Sequence, residues 1–238
     1  MLRVERLSAG YGKLQVLFNV SFEAKSNKIT VIVGPNGSGK STLLKTLFGL
    51  TNIYDGSVEF CGEDITKLPP HKRALMGLSY LPQLGNVFSK LTVRENLLMA
   101  TYGLPEEEAR DRIEEALSIF PTLKFYMNKK ASLLSGGERQ MLAIAISLIM
   151  NPKLMMLDEP TAALAPKIAY QVLDSIRRLR DEFKKTIILV EQNAKAALEI
   201  GDDAVLMASG KVLFKGSAEE LLNDKELGSM YLGLTGGS

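Results

Sequence analysis

The chain contains very little histidine, cysteine or tryptophan. Among its 238 residues there is one histidine, His71, one cysteine, Cys61, and no tryptophan. A single cysteine excludes a disulfide within the chain and fits a reducing compartment such as the cytosol. Because a structural zinc site needs about four cysteine or histidine ligands, no such site is expected. We interpret His71, which follows two prolines, as a surface residue and Cys61 as a half-buried strand residue.

The sequence also lacks a long apolar run and an excess of charge of one sign. Its longest apolar stretch, 141–150, is far shorter than the roughly 20 residues that cross a bilayer, so it predicts a buried helix. The amino terminus alternates polar and apolar residues like a strand, not like a signal peptide. A net charge of +2 indicates no affinity for nucleic acid, and 46% hydrophobic with 24% charged residues is typical of a globular domain.

A glycine-rich motif, GPNGSGKST, occupies residues 34–42 and fits the phosphate-loop pattern GxxxxGK[ST]. It follows a β-branched run at 28–33 that predicts a buried strand, and it precedes apolar residues at helical spacing. Backbone amides and a helix start can cradle the phosphates of ATP, Lys40 can reach the β- and γ-phosphates, and Ser41 can bind Mg²⁺. The alternative is a glycine-rich turn with a chance lysine. The predicted phosphate-binding residues are Gly34, Pro35, Asn36, Gly37, Ser38, Gly39, Lys40, Ser41 and Thr42.

Two acids follow another apolar run. Residues 154–157 are continuously apolar and lead into Asp158 and Glu159. Ligands of open α/β sheets bind where the parallel strands end, which is where these acids are expected. We predict that Asp158 holds Mg²⁺ and that Glu159 polarises an attacking water. The alternative is the solvated start of a loop.

A third motif, LSGGERQ at 134–140, lies between the phosphate loop and the acid pair. This order resembles the ATP-binding-cassette (ABC) ATPases over essentially the whole chain. The resemblance implies an α/β fold: a P-loop NTPase (RecA-like) core with an N-terminal antiparallel β subdomain and an inserted α-helical subdomain. We expect a single ABC ATPase domain over 1–238, with the core at approximately 1–83 and 153–238 and the helical subdomain at approximately 84–152.

The resemblance implies further site residues and a partner subunit. Two ATPase subunits, identical or homologous, would pack head to tail, with each ATP between one subunit's phosphate loop and the other's LSGGERQ turn. Ser135, Gly136 and Gly137 would then form an anion site at a helix start. Tyr11 matches an aromatic residue that stacks on adenine, although a lone tyrosine can instead be a half-buried strand residue. Gln83 matches a glutamine that senses Mg²⁺ and the γ-phosphate.

Two positions depart from the common family pattern. Gln192 stands where a histidine usually contacts the γ-phosphate, and an amide there can hydrogen-bond but cannot carry a proton. Ala165 stands where an aspartate usually lies, so crosstalk through that aspartate is in question. The sequences EQNA from 191, LAP from 164 and MYLG from 230 resemble the shorter ATPase subunit of branched-chain amino-acid importers.

These features predict an ATP-hydrolysing subunit that drives import of branched-chain or related amino acids through membrane permease subunits. Its expected location is cytoplasmic, on the inner face of the cell membrane. The expected catalytic residues are Glu159, Lys40 and Gln192. One alternative is an ATPase for lipid or lipopolysaccharide export, for which we would expect histidine at 192. Others are a soluble ABC ATPase of translation or DNA repair, which would usually carry two cassettes or a long coiled coil, and a kinase, which leaves LSGGERQ unexplained.

Overall fold

The computed structural model describes residues 1–233, so the last five residues of the expected domain, 234–238, lie outside the described residues. The described strands are β1 (Leu2–Tyr11), β2 (Leu14–Ala24), β3 (Ile29–Val33), β4 (Asn52–Phe60), β5 (Glu63–Asp64), β6 (Leu78–Leu81), β7 (Leu154–Asp158), β8 (Thr186–Val190), β9 (Asp203–Ala208) and β10 (Lys211–Ser217). The α-helices are α1 (Lys40–Phe48), α2 (Pro70–Leu75), α3 (Val93–Met99), α4 (Glu106–Ile119), α5 (Gly136–Ile149), α6 (Pro166–Asp181), α7 (Ala194–Ile200), α8 (Ala218–Asn223) and α9 (Lys225–Leu227). Short 3₁₀ helices lie at Pro121–Tyr126 and Ala131–Leu133, and a π-helical turn lies at Gly228–Leu232.

The central sheet contains the most apolar strands. Its order is β10-β9-β3-β8-β7-β6, and its neighbours pair in parallel except for the antiparallel hairpin of β9 and β10. Strands β3, β7 and β8 are buried at every residue, which explains their continuous apolar sequences. Because these strands are parallel, their carboxyl ends meet at one edge of the sheet, where α/β proteins bind ligands.

Two hydrophobic cores cover the two faces of this sheet. Side chains alternate along a strand, so Met155 and Leu157 of β7 join one core while Leu154 and Met156 join the other. Helices α3 to α8 pack into the first core. The second core lies between the sheet, α1 and a separate antiparallel sheet of order β2-β1-β4-β5.

Most of the helical structure between β6 and β7 lies in α3, α4 and α5. Thr92 and Ser135 start α3 and α5 with reciprocal hydrogen bonds to the third residue of each helix, which is a glutamate in both. Pro105 and the acids after it start α4, where the fixed φ of proline and the negative charges suit a helix N-terminus. The apolar stretch 141–150 forms most of α5 and packs into the first core.

Within residues 1–233, no helix has both the length and the apolar character needed to cross a membrane. His71 is exposed in the first turn of α2, as expected. The expectation for Cys61 is wrong, because β4 ends at Phe60 and Cys61 is exposed in the following turn with φ of 53°.

A buried arginine fixes the far end of α1. The guanidinium of Arg73 donates to the carbonyl oxygens of Thr46 and Leu47 in the last turn of α1, at 2.9 and 2.8 Å. It also donates to the carbonyl oxygens of Thr66 and Leu68 in the connection to α2, at 3.0 and 2.8 Å. Burial lowers the pKa of Arg73 to about 10, so the group stays charged at neutral pH and complements the negative end of the helix dipole.

We predict that Arg73→Ala lowers the free energy of unfolding by about 3 kcal/mol, since it leaves buried carbonyl oxygens unpaired and opens a cavity. Urea unfolding of the purified chain measures the change. Lys72→Ala is the control, because Lys72 is the exposed neighbour on the same helix. Equal destabilisation by the two variants would contradict a role of the buried guanidinium.

Candidate active site

The phosphate loop begins where β3 ends. Gly34 has φ of 147°, and a side-chain carbon there would lie 2.0 Å from the carbonyl oxygen of Met207, so the position requires glycine. Gly39 directly precedes α1 with φ of 98°, again in the left-handed region. The loop therefore delivers Lys40 and Ser41 as the first two residues of α1.

Lys40 lies inside the loop. It is only 4% exposed, and its ammonium donates to the carbonyl oxygens of Gly34 at 2.9 Å and Pro35 at 3.0 Å. Burial lowers the pKa of Lys40, whereas the negative charges of Glu159 and Asp158 act in the opposite direction. The two acids thus favour the charged form of a lysine that is almost removed from water.

Asp158 connects three elements at the edge of the sheet. It is the last residue of β7 and is 4% exposed. Its Oδ1 accepts a hydrogen bond from the Ser41 hydroxyl at 2.8 Å, and its Oδ2 accepts one from the Tyr80 hydroxyl at 3.1 Å. Burial, followed by the charge of Asp158, raises the pKa of Tyr80, so the tyrosine remains a neutral donor. Two of the three predicted Mg²⁺ ligands, Ser41 and Asp158, are therefore in direct contact, whereas the third, Gln83, donates to Glu159.

Glu159 is held by two glutamines from separate loops. Its Oε2 accepts hydrogen bonds from Gln83 Nε2 at 3.0 Å and from Gln192 Nε2 at 2.8 Å. Its backbone has φ of 49°, a left-handed conformation that non-glycine residues adopt rarely, and its amide donates to Val190 at 2.9 Å. The structure thus brings together three residues that the sequence placed at the site from well-separated positions.

A cavity of about 280 Å³ lies above the phosphate loop. Its lining includes Glu159, part of the loop and one residue of β2; these residues are Val16, Asn36, Gly37, Gly39, Lys40, Ser41, Thr42 and Glu159. Sequence reasoning missed Val16 and also Tyr80. Val16 carries no recognisable sequence signal, whereas a tyrosine inside the short strand next to the acid-bearing strand is a signal that could have been used.

The residues of this site fit a nucleotide with a divalent cation. The hydroxyl oxygen of Ser38 is buried and has no hydrogen-bond partner within the described chain, which leaves it free for a ligand. Ser41 and Asp158 offer hard oxygen atoms, which Mg²⁺ prefers, and Mg²⁺ commonly takes only one or two protein ligands beside phosphate oxygens and waters. Within residues 1–233, no group of three or more acidic, histidine or cysteine side chains is placed to hold a metal ion.

The LSGGERQ turn lies at the start of α5, away from this cavity. Ser135 is the N-terminal cap of α5 and is exposed, and its hydroxyl accepts from the Glu138 amide at 3.3 Å. Gly137 is buried, and a side-chain carbon there would lie 2.2 Å from Ile168 of α6. Ser135, Gly136 and Gly137 are absent from the lining of the phosphate-loop cavity.

Tyr11 and Ala165 lie outside the lining of the phosphate-loop cavity. Tyr11 ends β1, pairs with Leu14 across the hairpin, and is 42% exposed. It is not part of the cavity lining. Ala165 is the cap residue of α6 and is exposed, and it provides no side-chain hydrogen bond to the helix start.

Glu191 is a buried acid next to Gln192. It is 1% exposed, its Oε1 accepts from the Thr161 amide at 2.9 Å, and its Oε2 accepts from the Gln192 amide at 3.2 Å. Burial raises the pKa of Glu191 to about 7, and the charge of Glu159 adds to the rise, while the bonds to the two amides act against it. In the sequence, Glu191 attracted notice only as the first residue of EQNA. Its burial could not be predicted, because it depends on the packing of two loops that are distant in sequence.

The fold and the site define a P-loop nucleotide hydrolase. The family model described as ABC transporter matches residues 17–162, a span that contains the phosphate loop, LSGGERQ and the acid pair. The chain therefore belongs to the ABC transporter family, and it is an ABC ATPase.

Several curated proteins resemble this chain along nearly their whole length. A probable branched-chain amino acid transport ATP-binding protein of Archaeoglobus fulgidus is 53% identical, over 98% of this chain and 99% of that protein. A high-affinity branched-chain amino acid transport ATP-binding protein of Pseudomonas aeruginosa is 39% identical, over 98% and 100%. A lipopolysaccharide export system ATP-binding protein of Haemophilus influenzae is 33% identical, over 98% and 97%.

Solved structures show the same fold. An ATP-binding cassette of an ABC transporter superposes with a TM-score of 0.86 at 27% identity, covering 96% of this chain and 97% of that chain. A dimeric structure of a bacterial ABC transporter cassette gives a TM-score of 0.79 at 27% identity, covering 92% and 99%. These similarities confirm the predicted α/β fold with a P-loop core.

The raised pKa of Glu191 predicts a pH-dependent stability. The pKa is about 7 in the folded chain against the ordinary glutamate value of 4.5, so the folded state binds the proton more tightly than the unfolded state between these values. The contribution of Glu191 to stability therefore falls as the pH rises through this window and is constant above it. One pKa unit corresponds to about 1.4 kcal/mol.

Between about pH 5.5 and about pH 8, we expect the wild-type chain to lose about 2 kcal/mol more unfolding free energy than Glu191→Gln, whose amide does not titrate. Urea unfolding of both chains at the two pH values measures this difference. Equal losses in both chains would show that Glu191 does not titrate in this window.

Proposed function

We propose that this ABC ATPase binds ATP with Mg²⁺ and uses its hydrolysis to drive uptake of branched-chain or related amino acids through membrane permease subunits. The observation that carries the proposed chemistry is the position of Glu159, whose side chain lines the phosphate-loop cavity and is held by Gln83 and Gln192. A general base must lie beside the reacting group and be fixed in direction, and the position of Glu159 in the cavity lining with its two glutamine donors supports this role.

In this proposal residues 34–42 bind the phosphates through backbone N–H groups and the ammonium of Lys40. Ser41 and Asp158 hold Mg²⁺, and Gln83 can add its amide oxygen. Bound Mg²⁺ supplies positive charge that neutralises the phosphate oxygens. The unpaired hydroxyl of Ser38 and the buried ammonium of Lys40 support an anionic ligand at this place.

Hydrolysis then requires one proton transfer at Glu159. The carboxylate accepts a proton from water as the water oxygen bonds to the γ-phosphorus. The bond from the γ-phosphorus to the β–γ bridging oxygen breaks, and this oxygen leaves as part of ADP. Both glutamines donate to Oε2, which leaves Oε1 for the water proton. Because an amide does not titrate, Gln192 acts by directing Glu159 and the γ-phosphate rather than by carrying a proton.

The proposed complete site needs a second ATPase subunit. Ser135, Gly136 and Gly137 stand at the start of α5, outside the cavity of their own chain, and would contact the ATP bound by a partner subunit. The similarity to a dimeric cassette structure supports this arrangement. Tyr11, which is 42% exposed, would stack on the adenine ring. The chain would then work as a peripheral subunit on the cytoplasmic side of its permease partners.

Amino-acid import is supported by the branched-chain amino-acid relatives at 53% and 39% identity, compared with 33% for the lipopolysaccharide exporter. Gln192 adds support, because we would expect histidine in the exporter alternative. Uptake of radiolabelled leucine, isoleucine and valine by cells lacking this chain, with wild type or Glu159→Gln supplied in trans, tests the proposal. Restored uptake with wild type only is the expected result. Normal uptake without the chain would overturn import of these amino acids.

We predict that Lys40→Ala weakens ATP binding by about 2–4 kcal/mol, because the phosphate charge loses its charge-assisted partner. Equilibrium binding of labelled ATP with Mg²⁺ measures the change. Lys67→Ala is the control, since Lys67 is exposed and outside the cavity lining. Unchanged affinity in Lys40→Ala would mean that ATP binds elsewhere.

We predict that Glu159→Gln keeps ATP affinity within about twofold but lowers the steady-state hydrolysis rate at least about 100-fold, because the amide has the same shape and no basicity. The variant should also accumulate ATP-bound dimers in size-exclusion chromatography, with its partner ATPase present if one is required. Glu107→Gln, at an exposed position of α4, is the matched control. A hydrolysis rate within about twofold of wild type would exclude Glu159 as the base.

A further inference from the structure

Three segments of the site converge on the residue after β8. The amide of Glu191 donates to the Ile32 carbonyl oxygen of β3, the strand that leads into the phosphate loop, at 3.4 Å. The side chain of Glu191 accepts from the Thr161 amide, two residues after Glu159, and from the Gln192 amide. One buried residue therefore contacts the strand of the phosphate loop, the loop after the acid pair and the loop of Gln192.

The two loops have few other polar connections. Within the described chain, three hydrogen bonds link 159–164 to 190–193. The Glu159 backbone amide donates to the Val190 carbonyl oxygen, the Thr161 backbone amide donates to the Glu191 carboxylate, and the Gln192 side-chain Nε2 donates to the Glu159 carboxylate. A cavity of about 210 Å³ is lined by residues of both loops, Glu191 among them. Beyond the strand ends, the Glu191 carboxylate is thus the group that accepts from the backbone of both loops, at the Thr161 and Gln192 amides, beside the direct side-chain bond from Gln192 to Glu159.

Resting on the proposed role of Glu159 as the base, we propose that Glu191 is a positioning residue that fixes the Gln192 loop against the Glu159 loop so that Gln192 can direct the Glu159 carboxylate. The chemistry favours an ionised side chain for this task, because a carboxylate offers an acceptor oxygen to each of two N–H groups. A protonated acid or a glutamine side chain keeps one good acceptor oxygen. It can therefore bind only one of the two N–H groups, and the loop that carries the other N–H loses its hydrogen bond.

The cost of this acid argues against a purely structural role. A buried carboxylate is destabilising relative to its exposed form, and here the negative charge of Glu159 adds to the cost, as the raised pKa of Glu191 reflects. Burial of a neutral side chain of similar size would cost less desolvation free energy. A residue that serves only stability would lower the melting temperature when replaced, whereas a positioning residue would lower turnover without doing so.

The test compares Glu191→Gln with wild type at about pH 8, above the pKa of the buried acid. We expect kcat for ATP hydrolysis to fall about tenfold, with ATP affinity within about twofold and a melting temperature equal to or above that of wild type. Glu199→Gln is the matched control, because Glu199 is exposed on the next helix, and it should retain the wild-type rate. An unchanged kcat in Glu191→Gln, or a fall in kcat accompanied by a lower melting temperature and weaker ATP binding, would overturn the proposal.

A double-variant cycle checks that Glu191 acts through Gln192. Gln192→Ala removes the same directing hydrogen bond on Glu159, so Glu191→Gln combined with Gln192→Ala should be no slower than the slower single variant. Independent, multiplying losses would overturn a shared action. If Glu159→Gln retained turnover, the proposed role of Glu159 as the base would be wrong. If Glu159→Gln abolished turnover while Glu191→Gln kept the wild-type rate, the proposed base would stand and only the positioning role of Glu191 would be wrong.

Discussion

The parallel pairing of β3, β8 and β7 is the constraint on which the site depends. Ile32 lies opposite Val190, and Val190 lies opposite Asp158, so the three strands end almost level at one edge of the sheet. The phosphate loop, the acid pair and the Glu191–Gln192 segment therefore leave the sheet side by side. Each functional residue follows its strand closely, and rigid strands set positions more accurately than loops do. Arg73, far from the chemistry, supports the same geometry by fixing the end of α1.

Asp158, Glu159 and Glu191 lie at this edge of the sheet with one lysine, Lys40. Neutral hydrogen-bond donors stabilise the three acidic side chains there. Asp158 accepts from two hydroxyl groups, Glu159 from two amide side chains, and Glu191 from two backbone amides. Each carboxylate therefore keeps its partners without adding positive charge, which leaves Lys40 as the cation in the loop. An anionic nucleotide would make this edge still more negative. The balance of charge thus supports binding of the nucleotide together with a divalent cation.

Much of this site could be predicted from sequence because its parts are local. The phosphate loop needs glycines at fixed spacing between a strand and a helix, and the acid pair needs only an apolar run before it. What the sequence could not give is the contact between loops. Nothing local shows that Gln83 and Gln192 meet on Glu159, that Val16 lines the cavity, or that Glu191 is buried. The error at Cys61 has a related origin, since β4 ends one residue earlier than its apolar pattern suggests.

The segments that contain positions 165 and 192 are connected through the Glu191 carboxylate. Ala165 offers no side-chain hydrogen bond at the start of α6, so the segment 161–165 must be held in another way. The backbone amide of Thr161 donates to the Glu191 carboxylate. Within the turn, the Ala162 amide donates to the backbone carbonyl oxygen of Glu159 and the Leu164 amide to that of Thr161. The Gln192 loop is held by the same carboxylate. The start of this segment is thus bound by an acid of the neighbouring loop. One carboxylate therefore binds both loops, so the proposed positioning role of Glu191 concerns the segment of Ala165 as well as that of Gln192.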